Sequence, residues 1–199
     1  HLEQNDVARA FQSLERVMKS SKVEAKAKHS VLNDFLIFVD RNPEFEPELE
    51  QAIALFSEEE ATDVNEELGA YYLKNNDKTK ALAYYEAAYK KNPDDVNVLR
   101  NLVLLQLQAQ QFENAAALSE EALAFYPAQA VFYLVYGVAQ NALGKAQNAV
   151  DYLEMGIDYV IENPQMQADF YSELARAYET LGNAEKAAVY RRRLTNLTQ

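Results

Sequence analysis

The feature that most constrains this chain is a pattern of apolar and small residues that recurs every 34 positions. Leu68, Leu102 and Tyr136 follow this spacing, and Pro93 and Pro127 are separated by the same interval. The small residues keep the same period, at Ala81, Ala115 and Ala149 and at Ala88, Ala122 and Gly156. A fixed period of this length indicates a repeat array, in which each unit buries its apolar face against the next.

The recurrence separates a regular part of the chain, residues 62–199, from an irregular part, residues 1–61. The four units of the regular part run over about 62–95, 96–129, 130–167 and 168–199. Residues 1–61 keep a helical spacing of apolar residues without the period, and we expect irregular helices there that are degenerate repeats. We expect both parts to form one continuous solenoid domain.

Within each unit the apolar spacing predicts two amphipathic helices, A and B, joined by a short turn. In the first unit Leu68 and Tyr72 mark helix A, residues 75–77 mark the turn, and Ala81 and Tyr85 mark helix B. No segment alternates with a period of two for long enough to predict a strand. The sequence therefore predicts an all-α fold.

Glycine and proline punctuate these helices. Gly144 and Gly182 fall in the predicted turns, where glycine can adopt a positive φ at no steric cost. Pro93, Pro127 and Pro164 are expected to end the B helices, because the residue before proline resists the helical conformation. In the third unit this reading lengthens helix B as far as Pro164.

Small residues are also expected to set the distance between the two helices of a unit. Gly69 is paired with Ala81, and Gly137 with Ala149, at the same two positions of their units. A bulky side chain at either position would push apart helix axes that normally lie about 8–10 Å from each other. We therefore expect close helix pairs at these positions.

Three helices are expected in the irregular part, around residues 10–17, 23–41 and 47–56. The first has the spacing of a B helix whose A helix is missing. The chain also begins with His1 instead of Met, so we expect it to be a piece of a longer protein that starts in mid-repeat.

The anchors of the first unit resemble the tetratricopeptide-repeat signature. They are Leu68, Gly69, Tyr72, Ala81, Tyr85, Ala88 and Pro93. The second unit departs from the pattern at Val103, where glycine or alanine is usual. The resemblance covers residues 62–199 and is to long, multi-repeat bacterial members of the family. It implies a right-handed α–α superhelix of antiparallel helix pairs.

Composition excludes several classes of function. Apolar residues make up 49% of the chain, too many for a disordered protein, yet no run is long enough to span a membrane. The absence of cysteine excludes a thiolate metal site, and the presence of only His1 and His29 argues against a Ser–His triad. The net charge of −12 argues against nucleic acid. We expect neither an enzyme nor a protein with a metal or other cofactor.

The acidic and aromatic residues have structural explanations. Residues 44–67 hold ten acids and no base, but lack the glycine-containing turn of a calcium loop, which favours a solvated helix face and corner. Most of the 13 tyrosines fall on core positions of the repeats, such as Tyr72, Tyr136 and Tyr178. We therefore expect them to pack between helices rather than form a ligand site.

The resemblance also implies a binding face, because the A helices of this family line a concave groove. We call the residues that it places there the A-helix face. They are Asn97, Arg100, Asn101, Leu104, Leu107, Gln108, Leu134, Val138, Asn141 and Arg176. The same placement puts Val135 and Glu173 on this face. Its apolar centre and polar rim suit a peptide or an amphipathic helix of another protein.

The predicted function is a non-catalytic scaffold for protein–protein interaction. Two alternatives remain open, a chaperone or assembly module of the bacterial cell envelope or a secretion system, and a non-catalytic arm of a larger enzyme. The A-helix face could instead be covered by a second copy in a homo-oligomer. The bacterial periplasm, the cell envelope and the cytoplasm all remain open as locations.

Overall fold

The computed structural model describes residues 4–55 and 64–197, which contain eleven α-helices and no β-strand. The helices are α1 (Gln4–Lys19), α2 (Ala25–Arg41), α3 (Glu46–Ile53), α4 (Asn65–Lys74), α5 (Lys78–Lys91), α6 (Val96–Gln108), α7 (Phe112–Phe125), α8 (Ala130–Ala142), α9 (Ala146–Gly156), α10 (Pro164–Thr180) and α11 (Ala184–Leu197). Short 3-10 turns lie at Pro43–Phe45 and Ile157–Tyr159. None of the helices in these ranges is both long enough and apolar enough to span a bilayer. The predicted all-α fold is confirmed.

The chain divides into two compact units, His1–Pro93 and Asp94–Gln199, which are described separately. In the first unit, α2 packs against α1, α3 and α4. Leu32, Val39 and Leu49 are fully buried in this core. Helices α1, α2 and α3 correspond to the three irregular helices expected from the sequence. Phe56, the expected end of the third helix, lies outside the described residues.

Helices α4 and α5 form the one regular hairpin of the first unit. Asp77 caps α5 by accepting a hydrogen bond from the Lys80 backbone N–H at 3.0 Å. Because this bond satisfies a backbone donor that has no partner within the helix, it fixes the start of α5. Asn76 precedes it with φ +62°, a left-handed conformation that asparagine tolerates better than most residues.

The second unit consists of three hairpins in succession, α6–α7, α8–α9 and α10–α11. The A helices are neighbours, since α8 contacts both α6 and α10. The B helices α7 and α9 also pack on the A helices that follow them, α8 and α10. Gln110, Gly144 and Gly182 occupy the same turn position in the three hairpins, with φ values of +59°, +73° and +74°. The expected positive φ at the two glycines is confirmed.

One local expectation needs correction. Helix α9 ends at Gly156, and Pro164 is the first residue of α10, where its missing N–H costs no hydrogen bond. Pro164 therefore begins an A helix instead of ending an extended B helix.

Two glycines lie where the helices of one hairpin come close together. A Cβ on Gly137 would overlap the side chain of Leu153, and one on Gly156 would overlap Tyr133. Gly137 thus allows the close helix pair expected at its position, and both glycines make room for large side chains on the facing helix.

Candidate functional site

The A-helix face lies in the second unit, on the adjacent helices α6, α8 and α10. Leu104, Leu107 and Val138 are half-buried, so each keeps apolar surface that a ligand could cover. Leu134 is only 9% exposed and offers little. The apolar centre of this face therefore comes mainly from the first three residues.

Polar side chains flank this apolar centre and hold one another in place. The Asn141 side-chain N–H groups donate to the Glu173 backbone carbonyl at 3.0 Å and to its Oε2 at 2.8 Å. Arg176 lies 3.6 Å from the Glu173 carboxylate. On α6, the Arg100 guanidinium donates to Asn97 Oδ1 at 3.2 Å. Glu173, which the resemblance also places on this face, joins Asn141 and Arg176.

The remaining predicted positions divide between the surface and the interior. Gln108 is exposed and Asn101 is half-buried. Val135 is fully buried, so its placement on the face is wrong. Helix α8 packs against α7 and α9 as well as the two A helices beside it, and this surrounds Val135 on several sides.

A second kind of polar site lies where one hairpin packs on the next. At the junction of α9, α10 and α11, which we call the closed junction, Tyr178 and Tyr190 donate to Glu154 Oε1 at 2.6 and 3.0 Å. The Lys186 ammonium donates to the Tyr178 hydroxyl at 2.7 Å and lies 4.6 Å from the centre of its ring. Burial acts to raise the pKa of Glu154, but the tyrosine hydrogen bonds and the Lys186 charge together lower it.

The junction of α7, α8 and α9, which we call the open junction, has a related arrangement. Tyr152 donates to Glu120 Oε1 at 2.8 Å, as Tyr190 does to Glu154 one unit later. The rings of Tyr136 and Tyr152 stack with their centres 3.8 Å apart. The hydrogen bond to Glu120, together with burial, raises the pKa of Tyr152.

The first unit has its own lysine–tyrosine cluster, between α3, α4 and α5. Lys80 Nζ lies 3.0 Å from Glu46 Oε1 and 2.6 Å from Glu50 Oε1, and 4.7 Å from the centre of the Tyr72 ring. The hydrogen bonds to the two glutamates raise the pKa of Lys80. Part of the acidic segment is thus neutralised by a lysine outside it, and Lys80 and Glu46 are separated by one 34-residue period. That separation is the one sequence signal that could have revealed the pair.

The anchors, the hairpins and their regular packing agree with a comparison of protein families. The family model described as "Tetratricopeptide repeat" matches residues 46–96 and 66–130. Residues 46–130 therefore carry tetratricopeptide repeats. A tetratricopeptide-repeat fold supports a role as a scaffold for protein interaction. A comparison with curated protein sequences found no match.

Solved structures with a similar fold include three that align over most of this chain. MamA AMB-1 shares 20% identity with a TM-score of 0.65, covering 85% of this chain and 98% of that one. MamA 41-end from Desulfovibrio magneticus RS-1 shares 14% identity at 0.63, covering 84% and 95%. BtubC (BKLC) from P. vanneervenii shares 18% at 0.64, covering 98% and 89%. At these identities the likeness shows the fold alone.

Proposed function

We propose that this chain is a non-catalytic scaffold whose A-helix face binds an amphipathic helix or hydrophobic segment of another protein. The observation that carries the proposal is the half-buried Leu104, Leu107 and Val138 on the neighbouring helices α6 and α8. Half-buried apolar side chains held by a rigid helical frame gain further burial when a partner covers them, and they lose little conformational freedom.

The polar flanks of the face would fix the orientation of the partner. Asn141, Glu173 and Arg176 form a connected group on one side, and Asn97 with Arg100 forms another on α6. Because these groups already have intramolecular partners, they are preorganised for contacts with a ligand. Affinity would come from the apolar centre, and the choice of register from the polar flanks.

The decisive experiment is Leu104→Asp. We expect this variant to lose the protein that the wild-type chain retains in a pull-down from the source organism, because it places a charge in the apolar centre. The retained protein is identified by mass spectrometry, and binding of its synthetic helical segment is then measured by fluorescence anisotropy. Phe125→Asp is the matched control, since Phe125 is 70% exposed on helix α7, outside the proposed face.

Two results would contradict the proposal. Undiminished binding of the identified segment to Leu104→Asp, with its helical circular dichroism intact, would exclude the face as the binding site. Light scattering across a concentration series covers the other possibility. If Leu104→Asp turns an oligomer into a monomer and no other protein is retained, the face serves self-association instead.

A further inference from the structure

An open pocket of about 200 Å³ lies between α7 and α8 in the second unit. Glu113 and Glu120 contribute carboxylates, Gln140 and Tyr136 contribute further polar groups, and Lys145 lies at the same pocket. The two carboxylates outnumber the one ammonium, so the lining carries a net charge of −1. The alanines and the leucine in the remaining wall provide an apolar lining beside the charged groups.

Gln140 gives this pocket an acceptor that is buried but not used. Its side chain is 6% exposed, and its Oε1 accepts no hydrogen bond from any residue in the described part of the chain. Leaving a buried acceptor unpaired is costly, because it has lost water without gaining a protein donor. A ligand that donates hydrogen bonds would remove this cost, whereas an anion or an apolar group would not.

The closed junction indicates which donor fits. Glu154 and Tyr190 there occupy the repeat positions of Glu120 and Tyr152 in the open junction, and each pair makes the same tyrosine–carboxylate hydrogen bond. At the closed junction Lys186 adds an ammonium group, 3.5 Å from the Glu154 carboxylate.

The open junction has different residues at the two positions that make this arrangement in the closed one. The fourth unit is shifted by four residues, so equivalent positions of the third and fourth units are 38 residues apart, as Gly144 and Gly182 are. By this spacing Asn148 stands at the repeat position of Lys186, and Gln140 stands at that of Tyr178. The asparagine side chain is short and neutral, so it cannot deliver an ammonium to Glu120. The first unit strengthens the pattern, because Lys80 occupies this same repeat position and pairs with Glu46 and Glu50.

We propose that the pocket between α7 and α8 binds the ammonium group of a lysine side chain from a partner protein, in place of the lysine that the other two junctions supply from within the chain. The inference rests on the proposed function only in taking another protein as the partner. The ammonium has three donors; Glu113 and Glu120 provide carboxylate acceptors for them, and rotation of the Gln140 amide would bring its unpaired Oε1 to the same ligand. The four methylenes of the lysine stem lie against Ala116, Ala117 and Leu143.

The test titrates ¹⁵N-labelled protein with Nα-acetyl-lysine N-methylamide and follows the amide signals of Tyr136 and Gln140 by NMR. We expect saturable shifts with this probe and none with the norleucine analogue, which has the same stem length without the charge. Glu120→Gln should weaken binding about tenfold or more, because it removes a charged acceptor but preserves the hydrogen bond from Tyr152. Glu154→Gln, at the closed junction, should leave the probe affinity unchanged.

A second variant supplies the missing lysine from within the chain. Asn148→Lys should fill the pocket as Lys186 fills the closed junction, so it should abolish binding of the probe and raise the melting temperature. Because Asn148→Lys is expected to raise the melting temperature, its loss of probe binding cannot be attributed to unfolding.

Several outcomes would overturn the inference. These are equal binding of the norleucine analogue, unchanged affinity in Glu120→Gln, and full probe binding by Asn148→Lys. Tighter binding of spermidine than of the lysine probe would assign the pocket to a free amine. Retention of a partner protein that is lost in Leu104→Asp but unaffected by Glu120→Gln would leave the scaffold function standing and exclude the pocket alone. Probe binding without any retained partner would exclude the scaffold function instead.

Discussion

The closed and open junctions of the second unit share the same buried apolar positions, which we call their apolar frame. They differ in the polar side chains beside these positions, which we call their polar centres. Phe132 and Phe170 occupy the same repeat position in α8 and α10, and both are fully buried. At the polar positions Lys186 lies over Tyr178 in the closed junction, while Gln140 lines a pocket in the open one. The difference teaches that packing between repeats requires the apolar positions, and leaves the polar positions beside them available for binding.

The largest expected effects test whether the apolar frames are equivalent. Phe132→Ala and Phe170→Ala should each lower the free energy of unfolding by about 3–5 kcal/mol, because each removes a fully buried ring and leaves a cavity. Urea unfolding followed by circular dichroism measures both losses. Phe125→Ala is the control, because its ring is 70% exposed. Losses that differ by more than about 2 kcal/mol would mean that the two frames are not equivalent.

A smaller effect is expected at the turns of the two hairpins that form these junctions. Gly144→Ala and Gly182→Ala should each cost about 1–2 kcal/mol, because both residues have a positive φ and a new Cβ would meet no other atom within 4 Å. The penalty is therefore purely one of backbone conformation and should be the same in both, as urea unfolding would show. Gln110→Gly should act in the opposite direction, since Gln110 has φ +59° at the same turn position. A loss of stability in Gln110→Gly would contradict this explanation.

The smallest effect concerns the polar centre of the closed junction and depends on pH. The pKa of Glu154 is lowered in the folded chain, so its contribution is present above the pKa of about 4.3 expected in the unfolded chain and is lost as the pH falls through the folded value. Its side chain is 40% exposed and the carboxylate is screened by water, so Glu154→Gln should cost less than about 1 kcal/mol at pH 7.

This difference between wild type and Glu154→Gln should shrink as the pH falls from about 7 to about 3, as thermal unfolding at the two pH values would reveal. Glu121→Gln, which removes an exposed carboxylate from α7, controls for the change in net charge. A cost that persists unchanged at low pH would show that the carboxylate charge is not responsible.

Most of the helices could be predicted because their signals are local. Leu68 and Tyr72 have a helical spacing in one helix, as Ala81 and Tyr85 do in the next. Gly144 and Gly182 adopt a positive φ that glycine permits. The prediction for Pro164 is wrong because proline is common both just after the end of a helix and at the first position of one, and the sequence does not distinguish these two roles.

The candidate site could be predicted less completely. The sequence placed Leu104 and Asn141 on the A helices, but Val135 is buried because α8 has neighbours on several sides. The hydrogen bond from Asn141 to Glu173 and the pocket at Gln140 are each formed by side chains on different helices. Such contacts depend on how far each side chain reaches across a helix interface, and the 34-residue period does not encode that distance.

The sequence by itself determined the repeat, the helices and their turns, because these follow from residue spacing and backbone preference along the chain. The tertiary structure decided which polar groups meet between hairpins. Lys186 and Glu154 lie on different helices and come within 3.5 Å of each other only when α9, α10 and α11 pack. Helix packing brings Glu120 and Gln140 to one pocket in the same way, and there no lysine occupies the repeat position of Lys186. Apolar periodicity specifies the frame, whereas the length and charge of a few side chains across that frame decide which junction is filled and which can take a ligand.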